Sequence, residues 1–403
     1  MTFASNPATK KWPVVQLAEV AERCLGKMLD AKKNKGRMLP YLANPNVRWF
    51  DVDTSALKLM PFEPHEDERY GLQKGDIVIC EGGEAGRAAI WDGRLPDVKF
   101  QKAIHRVRPG PRLDSRYFVH QLMADYQSGR LADYYTGATI KHLTGQDLAR
   151  YRFPLPPLSE QRRIAAILDQ VDTLRAKRRE ALALLDELQR GIFIEMFGDP
   201  AQNPKGWPLK MLGSIASKFS DGPFGSNLKS EHYVEDGIRV VRLQNIGVGK
   251  FIDDDKAFVS EEHYATIRKH ECRPGDVLVG TMGDPNLRAC LLPQEIPLAI
   301  NKADCVQIRA NAAVANPYFV CELLNHPSTE LLAQELKRGQ TRVRISMGSL
   351  RGLNVPVPPV ALQNSFACRA TELEKLRALH LAALDETSRL FQSLQNRAFR
   401  GEV

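Results

Sequence analysis

"FPLPPLSEQRRIAAIL", Phe153 to Leu168, and "VPVPPVALQNSFACRA", Val355 to Ala370, share one pattern half a chain apart. In each, an apolar segment stiffened by proline runs straight into a helical stretch. Proline locks φ and biases its predecessor away from helix, so each Pro-x-Pro-Pro run reads as extended chain. A long helix begins where the prolines stop. In the first copy Ser159 is the expected N-cap, and Glu160 supplies negative charge to the first turn. Ile164, Val171, Leu185 and Ile192 then recur at one heptad position and Ile167, Leu174, Ala181 and Leu188 at a second, with Arg178 interrupting. That is coiled-coil spacing, and Gly198-Asp199-Pro200 ends it. The second helix repeats the seam less cleanly: Phe366, Leu373, Leu376, Ala383, Leu390 and Leu394 fit, while Arg369, His380 and Thr387 do not. There Ala361 replaces the capping serine and Leu362 the glutamate. Each helix would span about 55 Å, which suits a spacer.

The two segments belong to a longer series. "WPVVQLAEVA" at Trp12 returns as "WPLKMLGSIA" at Trp207, and "LQKGDIVICEGGEAGRAA" from Leu72 returns as "CRPGDVLVGTMGDPNLRA" from Cys272. "RYFVHQL" from Arg116 matches "PYFVCEL" from Pro317, and "GATIKHLTGQDL" from Gly137 matches "GQTRVRISMGSL" from Gly339. The blocks keep their order, so a domain-sized unit has been duplicated, unlike the shorter periods of solenoids. Each copy has β-branched runs ending in glycine turns, as in Gly75 to Trp91, and short helices at Tyr117–Tyr126 and Tyr318–Leu324. The expected fold is α+β: two pseudo-repeated globular domains of mixed α/β structure, separated by two long helices forming an antiparallel coiled coil. The boundaries implied are 1–157 and 207–358 for the globular domains, 158–197 and 359–403 for the helices, and 198–206 for a linker.

Composition narrows the function classes. The chain has 403 residues, 43% hydrophobic and 26% charged, as in a soluble globular protein. No run approaches the roughly 18 apolar residues of a membrane span. The opening "MTFASNPATKKWPV" lacks the apolar core of a signal peptide, so the expected location is cytoplasmic. Seven scattered cysteines with no C-x-x-C suit a reducing compartment and argue against a zinc ribbon. Fifty-six basic against 48 acidic residues leave a net charge of +8, which favours a polyanionic partner, nucleic acid first.

A search for chemistry finds none. "EGGEAG", Glu81 to Gly86, is followed by a strand and lacks Gly-Lys-Ser/Thr, so it reads as a hairpin turn and not a phosphate loop. "EEHYATIRKH" carries Glu261, Glu262, His263 and His270 but no H-E-x-x-H, and reads as a solvated helix face. There is no D/N-P-P-Y/F motif and no G-x-S-x-G. Neither a cofactor nor a metal is expected in this chain. Basic and amide residues in loops are more telling, because phosphate neutralisation needs Lys and Arg, and base reading favours Arg, Lys, Asn and Gln. The candidate DNA-binding set is Lys33, Lys35, Arg37, Glu84, Arg87, Lys102 and Lys141 in the first copy, then Arg242, Gln244, Asn245, Arg288, Lys302, Arg342 and Arg344 in the second. Arg87 and Arg242 are the expected base readers, and Lys33 a phosphate contact. "RAKRRE", Arg175 to Glu180, reads instead as the outer face of the coiled coil.

The "PLPPLSEQRRIA…LD" passage, the Gly-Asp-Ile/Leu-Val block with its glycine turn, the Gly-Ala-Thr-Ile block and the duplication together resemble the specificity subunit of a type I restriction–modification system. The resemblance covers essentially the whole chain. It implies two target recognition domains, each reading half of an interrupted sequence in double-stranded DNA, with helix length setting the gap. It also implies two DNA adenine methyltransferase subunits as partners, which bind S-adenosylmethionine and flip the base, and ATP- and Mg-dependent restriction subunits. The alternatives are a two-headed protein-interaction adaptor, or an enzyme with a hidden nuclease or methylase site.

Overall fold

The computed structural model describes residues 12–30, 32, 34–137, 139, 141–340 and 342–402. The chain divides into two compact units, one of Met1–Glu180 with Leu381–Val403 and one of Ala181–His380.

In the first unit, strands Ala21–Leu25, Ile104–Pro109, Ile77–Cys80 and Ala88–Ile90 form an antiparallel sheet in that spatial order. Ile77–Cys80 is buried at every position, which is why it reads as an unbroken apolar run instead of an alternating one. The turn that joins it to Ala88 is the expected hairpin, closed by the Cys80 and Gly86 amides donating to the Arg87 and Cys80 carbonyls. Helix Ser115–Gln127 starts at Asp114, whose carboxylate accepts the Arg116 and Tyr117 amides. Its Tyr117, Phe118, Val119 and Leu122 share a core with Ile77, Ile79 and Val107. A smaller sheet, Lys58–Phe62, Arg37–Leu42 and Lys99–Phe100, lies beside this one, and Leu42, Val78, Trp91 and Phe100 form a second core.

The second unit repeats the plan. Ala216–Ser220, Cys305–Ala310, Val277–Gly280 and Ala289–Leu291 form the same antiparallel sheet, and helix Pro317–Asn325 packs against it through Phe319, Val320 and Leu323. The companion sheet here is larger, with five strands, and includes the parallel pair Ile238–Val241 and Ala299–Asn301. A phenylalanine cluster of Phe193, Phe197, Phe319 and Phe366 fills the junction with the long helices, with ring centroids 4.9 to 6.0 Å apart.

The long helices run Leu158–Phe197 and Val360–Phe399. Each contributes to both units. Ile164, Ala165, Leu168 and Val171 meet Phe391 and Ala398 in the first, and Phe193 and Phe197 meet Phe366 and Ala370 in the second. Three sequence expectations change. Ser159 is not the cap: it lies inside the first turn, and the Glu160 and Gln161 amides reach the Pro157 carbonyl. Leu362 and Gln363 do the same with Pro359, so losing the serine costs the second helix nothing. The second heptad position was also misplaced, since Leu174 and Leu188 are half exposed. Leu168 and Arg175 face inward in their place, with Arg175 lying over the Phe391 ring at 4.8 Å and bonded to Asp172 and Ser388. Arg175 is therefore not on an outer face. Counting leucines overlooks the long stem of an arginine, which buries as well as a small aliphatic residue.

Candidate nucleic-acid interface

Each four-stranded sheet has two unlike ends. At one, Arg108 grips Asp76 with two bonds of 2.8 Å, and Arg309 grips Asp276 in the same way. This end is tied to a long helix by a glutamine with no exposed surface. The Gln161 amide group donates to the Arg112 and Pro156 carbonyls at 2.9 and 2.8 Å, while its oxygen accepts the Asp114 amide at 2.8 Å. Gln363 repeats the arrangement with Val314, Pro358 and Asn316. Sequence reasoning passed over both residues. The available signal was that glutamine is the one member of Ser-Glu-Gln kept in the second copy.

At the opposite end four loops converge. Strand Ala21–Leu25 runs out into Gly26, Ile77–Cys80 into Glu81, and Ile104–Pro109 begins after Ala103. The Lys102 amide donates to the Lys27 carbonyl, Glu81 to Ala103, and Leu143 to Glu81, which joins the loops and brings in Lys141 to Leu143. The second unit repeats two of these bonds, Thr281 donating to Asp304 and Ile345 to Thr281, while its Lys302 amide donates to the Val241 carbonyl. Close approach at this end requires glycine. A Cβ on Gly26 would sit 2.1 Å from the Gln101 carbonyl oxygen, and one on Gly222 would sit 2.1 Å from the Lys302 carbonyl carbon. The adjoining turns hold a non-glycine residue at positive φ in both copies, Ala103 at 86° and Asp304 at 64°. Such a conformation costs about 1–2 kcal/mol and persists where surrounding bonds over-determine it.

The candidate residues separate into two groups. Lys35, Lys102, Lys141, Arg342 and Arg344 are exposed on these loops, with Lys141 5.9 Å above the Tyr135 ring. Lys302 sits on the matching turn and donates to the Tyr233 hydroxyl at 3.0 Å. Arg37 is exposed but paired with Asp67 at 2.7 Å. Lys33 lies outside the described residues.

The second group is occupied internally. Arg87 binds Glu84 at 2.9 Å and the Asn44 carbonyl at 3.0 Å, and Glu84 also accepts the Trp49 indole N–H. Arg288 donates to four backbone carbonyls, those of Leu243, Ile246, Met282 and Pro285. Asn245 is fully buried, with bonds to the Ile252 and Asp255 carbonyls and the Arg242 amide. Arg242 and Gln244 both engage Asp255, and Arg242 lies over Tyr233. Arg87, Glu84, Arg288 and Asn245 thus shape the loops. The expectation that Arg87 reads a base meets an arginine whose two terminal nitrogens are bound within the protein, to Glu84 and the Asn44 carbonyl.

Electrostatics at the second loop end are mixed. Burial pushes the Asp221 carboxyl up to about 6, and the charge of Asp304 adds to the effect. The His270 ring donates from Nδ1 to the Asp221 carbonyl, and burial lowers its pKa. Both line an open groove of about 430 Å3 with Phe219, Phe224, Lys269 and Met347. Glu261, Glu262 and His263 lie on or beside the short helix Glu261–Ile267, capped by Ser260. Among the described residues no group of three His, Cys, Asp or Glu side chains is placed to hold a metal ion. No described helix is long and apolar enough to cross a membrane.

Comparison with known proteins follows the same outline. Residues 9–184 match the family model described as the type I restriction modification DNA specificity domain. The chain is 23% identical to the EcoBI type I restriction enzyme specificity subunit of Escherichia coli, over 83% of this chain and 75% of that one. It is 21% identical to the putative MjaX specificity subunit of Methanocaldococcus jannaschii, over 97% and 93%. Among solved structures, the type I restriction–modification S subunit of M. genitalium superposes with a TM-score of 0.57 at 17% identity, covering 98% of both chains. A chain from a study of complex assembly and conformational transition in a type I system superposes at 0.59 with 18% identity, over 99% and 100%. The family model covers the first repeat, while the MjaX relative and the two solved structures are matched across both.

Proposed function

We propose that this chain is a specificity subunit of a type I restriction–modification system, and that it reads an interrupted DNA target with the loop ends of its two units, one half-site each. One observation carries the reading: the same basic, glycine-dependent loop end occurs in both repeats, at the sheet end away from the helix anchor. The exposed Lys102, Lys141, Arg342 and Arg344 supply phosphate and base contacts, while the internally bonded Arg87 and Arg288 hold the loops in shape. The chain serves a DNA-modifying complex without doing its chemistry. Two methyltransferase subunits supply S-adenosylmethionine and the adenine-directed step, and restriction subunits supply ATP- and Mg-dependent cleavage. This assignment accords with the family likeness and with a cytoplasmic location.

Methylome sequencing of a host with and without this gene tests the reading. A bipartite, gapped motif that is methylated only when the gene is present is the expected result. An uninterrupted motif, or no change in methylation, would sink it. The purified assembly should also retain its target in a salt-dependent manner.

A further inference from the structure

Two residues past the close-approach glycine, both units expose a large apolar side chain. After Gly26 come Met28, 59% exposed, and Leu29, 57% exposed; after Gly222 comes Phe224, 54% exposed. Surface leucines are ordinary when scattered singly. The same structural position in two sequence-divergent copies is a different matter, because solvent alone gives no reason to keep it apolar.

Lysines stand near both positions, joined in the second unit by the Asp221 carboxylate of the same groove. The Asn34 side chain donates to the Met28 carbonyl at 3.0 Å, and its backbone amide to Asp30. Lys32 and Lys35, both exposed, follow in the same stretch. The Lys102 amide bonds to the carbonyl of Lys27, the residue before Met28, and the Lys102 side chain is exposed. In the second unit the Asn227 amide closes a turn on the Phe224 carbonyl, and exposed Lys229 follows, paired with Glu231 at 3.3 Å. Phe224 borders the groove that contains Lys269. Lysines neutralise phosphates, and an apolar group between them gains nothing from a phosphate. It gains from a thymine methyl group or from the face of a base at an opened step.

We propose that Met28 with Leu29 in the first unit, and Phe224 in the second, lie against bases of their own half-sites and determine specificity there. The proposal rests on the reading that these loop ends hold DNA, and the test separates the two. The full chain, assembled with its methyltransferase partners, is titrated with three synthetic duplexes: the target defined by methylome sequencing, and the same duplex with one or the other half scrambled. The double variant Met28→Ser/Leu29→Ser loses about tenfold in affinity for the intact target and no longer distinguishes a scrambled half from an intact one at one side only. Phe224→Ser does so at the other side, and Phe224→Leu keeps most of the discrimination. Thermal unfolding and salt slope stay at parental values, because the side chains are exposed and uncharged. Parental discrimination in both serine variants, or equal losses on all three duplexes, overturns the proposal. An unsubstituted assembly that binds all three duplexes alike overturns instead the reading on which it rests.

Discussion

Gln161 and Gln363 are uncharged and invisible to any motif search, yet each joins a globular domain to its helix with three buried hydrogen bonds. Truncation strands one amide and two carbonyls without water, so Gln161→Ala should destabilise the chain by about 2–4 kcal/mol in urea unfolding. Ser159→Ala should change stability by less than about 0.5 kcal/mol, because the hydroxyl caps nothing. A large effect of Ser159→Ala would contradict the helix start described above. The same logic distinguishes arginines of one charge and opposite use. Arg288→Met removes the bonds to four carbonyls and should lower the unfolding midpoint while weakening all DNA binding alike. Arg342→Ala should leave the midpoint unchanged and flatten the salt slope of binding by about one. Exchanged phenotypes would reverse the two assignments.

At the scale of elements, the helix seam shows how a periodic pattern succeeds and then misleads. Heptad spacing located both helices, since a long apolar period in a proline-bounded segment has few other solutions. It chose the wrong second stripe, because each helix packs on a sheet-bearing domain as well as on its partner. Phe193→Ala should therefore cost about 3–5 kcal/mol, and Leu188→Ser should be tolerated in the isolated chain; equal costs would restore the discarded stripe. The helix Pro317–Asn325 carries a further test. Glu322 accepts the Gln189 amide at 2.7 Å, and burial pushes its carboxyl from 4.5 up to about 7. A raised acid pKa means that the folded state holds its proton more tightly than the unfolded state. Stability is then greatest below the unfolded value and is lost as pH rises from 4.5 through about 7. Glu322→Gln puts in place the residue that the first copy carries as Gln121. It should raise the unfolding midpoint near pH 8 and leave it unchanged near pH 4. Equal midpoints near pH 8 would show that this carboxyl carries no such penalty.

For the whole molecule, duplication makes the two reading surfaces separable. Replacing Trp12–Phe153 with the matching segment of a relative should alter one half of the methylated motif and leave the other unchanged. A replacement that alters both halves would end the two-module reading. Duplication, long helices, hairpins and the absence of a catalytic motif were all determined by the sequence alone, because repeats, proline boundaries and short-range periodicity are local and survive without neighbours. The location of the basic loops was legible for the same reason: glycine turns mark them. What each polar residue does there was decided only by the tertiary structure. Arg87 and Lys102 look equally cationic in a string. One meets the carbonyl of Asn44 and the other meets solvent. Asn245 resembles a base reader until its partners at Ile252 and Asp255 close around it. A buried polar group must be satisfied by whatever the fold brings near, and that pairing links segments far apart in the chain, where no local spacing can register it.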